Sequence, residues 1–139
     1  MDGVKVIRRN AEIEEFIEMR KCTGWGYPDE KSIGIGLKNT LFSVCVELND
    51  EIIGYGRLIG DGAFTFYIQD VIVKPKYQGK GIGSRIVDEI LSYIRETYTD
   101  DTMVCLMSAK GKETFYKKFG FIERPNENYG PGMILGRNK

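Results

Sequence analysis

Asp70-Val71-Ile72-Val73-Lys74-Pro75-Lys76-Tyr77-Gln78-Gly79-Lys80-Gly81-Ile82-Gly83 joins a β-rich run to an amphipathic one through three glycines at alternate positions. Upstream, Phe64 to Val73 is rich in aromatic and β-branched residues and apolar on both faces, as expected of a central strand covered on both sides. Downstream, Ile82, Ile86, Val87, Ile90, Leu91 and Ile94 share one stripe and predict a helix to about Glu96. The glycines between them let backbone N–H groups converge without obstruction by Cβ atoms. A helix start adds unpaired donors and a partial positive charge, so strand, loop and helix together suit a phosphate or pyrophosphate. Lys80 adds a further charge. Ser84 stands where a dinucleotide-binding G-x-G-x-x-G fingerprint needs glycine, and the G-x-x-x-x-G-K-S/T pattern of a P-loop is missing. A glycine-rich helix start that serves only close packing is the alternative reading.

Outward from this stretch the chain reads as strands and helices in the order β-α-α-β-β-β-α-β-α-β-β. Val4 to Ile7 predicts a first strand, and Asn10 a cap for a helix over Ala11 to about Lys21 with Ile13, Phe16 and Ile17 inward. Thr23-Gly24-Trp25-Gly26-Tyr27-Pro28 breaks that helix, and Asp29 caps a shorter one to about Lys38. Ser43–Leu48 and Glu51–Ile59 predict a hairpin around Asn49-Asp50. Met103–Met107 predicts a strand, and Lys112–Phe119 a helix ended by Gly120. Phe121-Ile122 and Met133-Ile134-Leu135 predict two closing strands. The fold class that follows is α/β, with a mixed, largely antiparallel central sheet flanked by helices. At 139 residues the chain reads as one domain, 1–139.

Composition excludes much. There is no histidine, so neither a Ser-His-Asp triad, nor Cys-His catalysis, nor a His-ligated zinc site is available. No metal site is expected. Acid–base work falls to Asp, Glu, Tyr, Lys, Cys, the substrate or water. Cys22, Cys45 and Cys105 share no CxxC spacing and read as reduced thiols of a cytoplasmic protein. The polar N-terminus does not read as a signal peptide, and no apolar run suggests a membrane span. Twenty basic against twenty acidic residues leave no basic footprint for nucleic acid.

Asp70 to Gly83 resembles the acetyl-CoA-binding motif of the GNAT N-acetyltransferase family, whose Q/R-x-x-G-x-G/A core is met by Gln78, Gly81 and Gly83. Glu113-Thr114-Phe115-Tyr116-Lys117-Lys118-Phe119-Gly120-Phe121 resembles the family's FYxKxGF segment, in the right order along the chain. The resemblance implies a splayed-strand acetyl-CoA cleft. The pantetheine arm would pair with the backbone of Val71, Ile72 and Val73. The diphosphate would meet the N–H groups of Gln78, Gly79, Lys80, Gly81, Ile82, Gly83 and Ser84. Lys112 stands near where many relatives place a cofactor-contacting asparagine, and either approaches a CoA phosphate or is simply solvated. Tyr116 matches a tyrosine near the thioester sulfur; packing beside Phe115 and Phe119 is the other account of it. Asp70 is the first candidate to take the amine's proton, or else makes structural hydrogen bonds.

For the acceptor, the resemblance points to the first two helices and nearby loops. Trp25 and Tyr27, together with Tyr67 on the central strand, suit an amine with an apolar or aromatic body, or only cover the core. The implied function is acetyl transfer from acetyl-CoA to a primary amine of a small molecule, in a ternary complex and without a metal. A protein or peptide acceptor, a CoA-binding sensor and a purely structural role for the glycines are the alternatives. A homodimer is a common assembly in the family. No nucleic-acid or membrane partner is expected.

Overall fold

The computed structural model describes residues 2–136, which fall into two compact units, one ending at Leu106 and one starting at Met107. The first holds β1 (Val4–Arg8), α1 (Ile13–Lys21), α2 (Glu30–Lys38), β2 (Phe42–Leu48), β3 (Glu51–Gly60), β4 (Thr65–Val73), α3 (Ile82–Thr97) and β5 (Met103–Cys105). The strands lie side by side in chain order. Each of the first three neighbouring pairs is antiparallel, and β5 joins β4 in parallel. The mixed, largely antiparallel sheet read from the sequence is therefore present.

Local chemistry explains most element ends. Asn49 and Asp50 both take positive φ, 52° and 62°, the handedness that lets a two-residue turn match the twist of β2 and β3. Asp29 caps α2 by accepting from the Ser32 N–H at 2.9 Å. The expected Asn10 cap is displaced. α1 starts at Ile13, and Glu15 reaches back to accept the Glu12 N–H at 2.9 Å. Asn10 instead donates to the Leu37 carbonyl at 2.8 Å and so ties the end of β1 to α2.

Helices cover both faces of the sheet. Phe16, Met19, Ile33 and Leu37 from α1 and α2 cluster with Cys45, Tyr55 and Ile72. α3 buries Ile82, Ile86, Val87, Ile90 and Ile94, each worth about 1.5–3 kcal/mol relative to exposure. Leu91, expected on that stripe, is half-buried. α3 packs where β3 has Gly54 and Gly56, the neighbours of Tyr55, so it lies on the face opposite α1. β4 is buried on alternate residues and, after an exposed Thr65, half-buried on the others, less evenly covered than its composition suggests.

The glycines on β3 set the distance of α3 from the sheet. A Cβ at Gly56 would stand 2.5 Å from Ile86 Cγ2, whereas one at Gly54 would meet its neighbours at 3.1 Å or more. Gly56→Ala is expected to cost about 1–3 kcal/mol in urea unfolding, and Gly54→Ala distinctly less. Equal losses at the two positions would show that α3 is not seated on this strip.

The second unit contains α4 (Glu113–Lys117). It is shorter than the expected 112–119, because its end tightens into turns: Phe119 N–H donates to Tyr116 O and Gly120 N–H to Lys117 O, both at 3.0 Å. Gly120 follows at φ 96°. Neither expected closing strand forms among the described residues. Met133, Ile134 and Leu135 are 86%, 80% and 92% exposed. Two or three apolar residues between glycines, prolines and asparagines have no local force that extends them, since a strand exists only by pairing.

Candidate active site

The open edge of β4 is the first element of the site. β4 pairs with β5 only at Thr65, Phe66 and Tyr67, then runs on to Val73. Beyond Tyr67, no strand of the described residues pairs with that edge. Tyr55 faces Ile72 and Arg57 faces Gln69, so Gly56 alone stands opposite both Asp70 and Val71. That extra residue is a β-bulge, and Asp70 sits in it at φ 57°. Ile72 is 5% exposed in the core, whereas Val71 and Val73 are half-buried. What this stretch offers a ligand is its main chain.

The glycine loop closes on the end of the same strand. Pro75–Tyr77 forms a 3₁₀ turn, after which the Gln78 side-chain amide donates back to the Val73 carbonyl at 2.9 Å. Gly79 and Gly81 take φ of 77° and 81°, and a Cβ at either would meet no protein atom within 4 Å. α3 then begins with no side-chain cap and no acidic residue in its first turn. Its first N–H groups, from Ile82, Gly83 and Ser84, are left to an outside acceptor. Lys80 is exposed beside them. An uncapped, acid-free helix start beside two glycines with open space around them could accept a diphosphate, and a β-carbon would take up part of that space.

Asp70 is not where a free base would be. Its side chain is 2% exposed, and one oxygen accepts from Arg20 Nη1 at 2.7 Å while the other accepts from Arg57 Nε at 2.8 Å. Both oxygens already have guanidinium donors, so the expected role in taking the amine's proton has no geometric support. The alternative, structural hydrogen bonding, is what the carboxylate does. Arg20 and Arg57 were the residues that sequence reasoning missed. A signal existed: a carboxylate inside an apolar strand needs a cation, and Arg57 lies inside the apolar run of β3.

Trp25 and Tyr27 stand on the loop between α1 and α2, 53% and 45% exposed. Tyr67 lies on β4 at the last position paired with β5. In the second unit, Tyr116 is half-buried on α4 with its ring edge-on to Phe115 and Phe121. Burial raises its phenol above the ordinary value of 10.0. Lys112 is exposed at the N-cap of α4.

The GNAT acetyltransferase domain model matches residues 39–123, a stretch that includes the open strand, the glycine loop and α4. The chain belongs to the GNAT acetyltransferase family. An uncharacterized N-acetyltransferase, ycf52, of Pyropia yezoensis is 26% identical over 85% of this chain and 69% of its own length. GCN5-related N-acetyltransferase 1, chloroplastic, of Arabidopsis thaliana is 26% identical over 96% of this chain and 70% of its own. In three dimensions, a protein of unknown function from meticillin-resistant Staphylococcus aureus superposes with a TM-score of 0.86 at 34% identity, over 96% of this chain and 99% of that one. This GNAT chain is thus an acetyltransferase, and acetyl-CoA is the acetyl donor of its family. No group of three or more His, Cys, Asp or Glu among the described residues could hold a metal ion, and no described helix is long and apolar enough to cross a membrane.

Proposed function

We propose that the protein transfers an acetyl group from acetyl-CoA to a primary amine of a small molecule, by direct attack within a ternary complex. The observation that carries this reading is the unpaired edge of β4 leading straight into an uncapped helix start. An extended amide chain suits the first and a diphosphate the second. The donor contacts are assigned to the backbone of Val71, Ile72 and Val73 and to Gln78 through Ser84, with Lys112 near a phosphate. The family match spans both compact units, which supports reading 1–139 as one acetyltransferase domain.

Acetyl-CoA brings the acetyl group as a thioester. The chain's own part is to hold both reactants, to help the amine lose its proton and to stabilise the departing thiolate. An alkyl amine of pKa ~10.4 needs about 4.6 kcal/mol to be neutral at pH 7. With both oxygens of Asp70 engaged, we assign proton removal to water or another carboxylate. Tyr116 is assigned the leaving group. A phenol near pKa 10 is a weaker acid than a thiol near 8.5 by ~2 kcal/mol, and burial widens the gap. Tyr116 therefore donates a hydrogen bond to the thiolate and keeps its proton.

Tyr116→Phe is expected to lower kcat about 10²-fold while changing acetyl-CoA affinity little. Its raised pKa also puts any alkaline loss of activity caused by this phenol above pH ~10. Initial rates across pH decide both points, and an unaltered kcat would remove Tyr116 from the mechanism.

Trp25, Tyr27 and Tyr67 are the proposed acceptor contacts. Exposed aromatic rings on a glycine-rich loop favour a compact amine with an apolar body. The test is acetyl-CoA-dependent thiol release across amines, amino acids, peptides and aminoglycosides. Turnover of small amines supports the proposal. Turnover of peptides alone would favour a protein acceptor, and binding without turnover a sensor. The free cysteines suit a reducing compartment, for which we keep the cytoplasm, although three relatives are named chloroplastic.

A further inference from the structure

We infer that Arg20 is a positioning residue for the acceptor: anchored on Asp70, it fixes the Trp25–Tyr27 loop against the bulged strand. The inference rests on the proposed role of that loop in binding the amine. Four contacts converge on this one side chain. Arg20 Nη1 donates to Asp70 at 2.7 Å, and Nε donates to the Gly26 carbonyl at 2.9 Å. The guanidinium lies 5.7 Å from the Trp25 ring and 5.6 Å from the Phe16 ring. Its backbone takes part as well. The Arg20 carbonyl accepts the Thr23 hydroxyl at 2.7 Å, and that hydroxyl accepts the Trp25 N–H at 3.0 Å.

The loop has little else to hold it. Gly24 and Gly26 both lie at positive φ with open space around them, and the two aromatic side chains are about half exposed. A segment this permissive samples many conformations unless something fixes it. Arg57 completes the anchor from the other side. Its Nε holds the second Asp70 oxygen, and its Nη1 donates to Thr40 Oγ1 at 3.1 Å, which donates in turn to the Gly36 carbonyl of α2 at 2.8 Å. One carboxylate in the bulge thus reaches the loop after α1 through Arg20 and the end of α2 through Arg57. Because Asp70 immediately precedes Val71, the acceptor loop is referenced to the strand assigned to the donor. The planar fork matters: a lysine ammonium can meet Asp70 or Gly26, but it cannot serve both while lying over an indole.

Trp25 is the single tryptophan, so acrylamide quenching of selectively excited tryptophan fluorescence reads this loop alone. Arg20→Gln is the main variant, because it leaves Asp70 paired with Arg57. The quenching constant is expected to rise about twofold in Arg20→Gln and by less in Arg20→Lys, with acetyl-CoA affinity by calorimetry within about threefold of wild type. For the amine turned over fastest in the panel above, KM is expected to rise about tenfold and kcat to stay within about threefold. Unchanged quenching in Arg20→Gln overturns the inference. So does looser packing of Trp25 with an unaltered acceptor KM, since the pair would then be structural only. If wild type fails to bind acetyl-CoA, the proposed function falls, while the quenching comparison still judges the anchor.

Discussion

Gly81→Asp is expected to weaken acetyl-CoA binding by at least about 100-fold, near 2.7 kcal/mol, while the protein stays folded. The fold tolerates the change for two reasons. Nothing lies within 4 Å of a Cβ at this position, and aspartate accepts a left-handed φ of 81° better than most residues. Binding does not tolerate it. The new carboxylate sits at the first turn of α3, where it competes for the N–H groups proposed to hold the diphosphate and would repel it. Gly81→Asn has nearly the same size without the charge, so the difference between the two isolates electrostatics. Calorimetry with acetyl-CoA measures both. An aspartate variant that binds as wild type does would move the diphosphate elsewhere.

Asp70→Ala is expected to lose about 3–5 kcal/mol of stability. The substitution strands two guanidiniums whose side chains are only 18% and 15% exposed. It also places alanine at φ 57°, a conformation that aspartate tolerates somewhat better through local hydrogen bonding. Asp70→Asn keeps an acceptor and the shape, and should lose clearly less. Urea unfolding gives both numbers. A loss under about 1 kcal/mol for the alanine variant would mean that water already serves the two arginines.

These effects separate what could be read from the sequence from what could not. Neighbours in sequence decide the hairpin turn at Asn49-Asp50, the glycine loop and the stripe of α3, and each was legible. The two motifs that carry the family resemblance are likewise contiguous. The Asp70 network is of another kind. Arg20 lies fifty positions from Asp70 and is brought to it by packing of α1 on the sheet. No spacing rule encodes that meeting, although an acid in an apolar strand announced that some cation would come. The error at Asn10 was local competition, because a glutamate pair one turn later offered α1 a start and Leu37 offered the asparagine another bond. The closing strands failed because apolar content by itself does not supply a neighbour to pair with.

The bulge also shifts the phase of β4. A strand keeps time in twos, and one additional beat at Asp70 reverses which side every later residue meets. Thr65–Gln69 and Val71–Val73 are therefore two half-strands in opposite step, joined at a single buried hinge of charge. Removing Asp70 outright would restore regular alternation, with Val71 opposite Gly56 and Ile72 still beside Tyr55 in the core, but it would take away the carboxylate that Arg20 and Arg57 share. What the additional residue supplies is therefore a buried carboxylate, with the partners of Ile72 and Val73 left as a regular strand would have them.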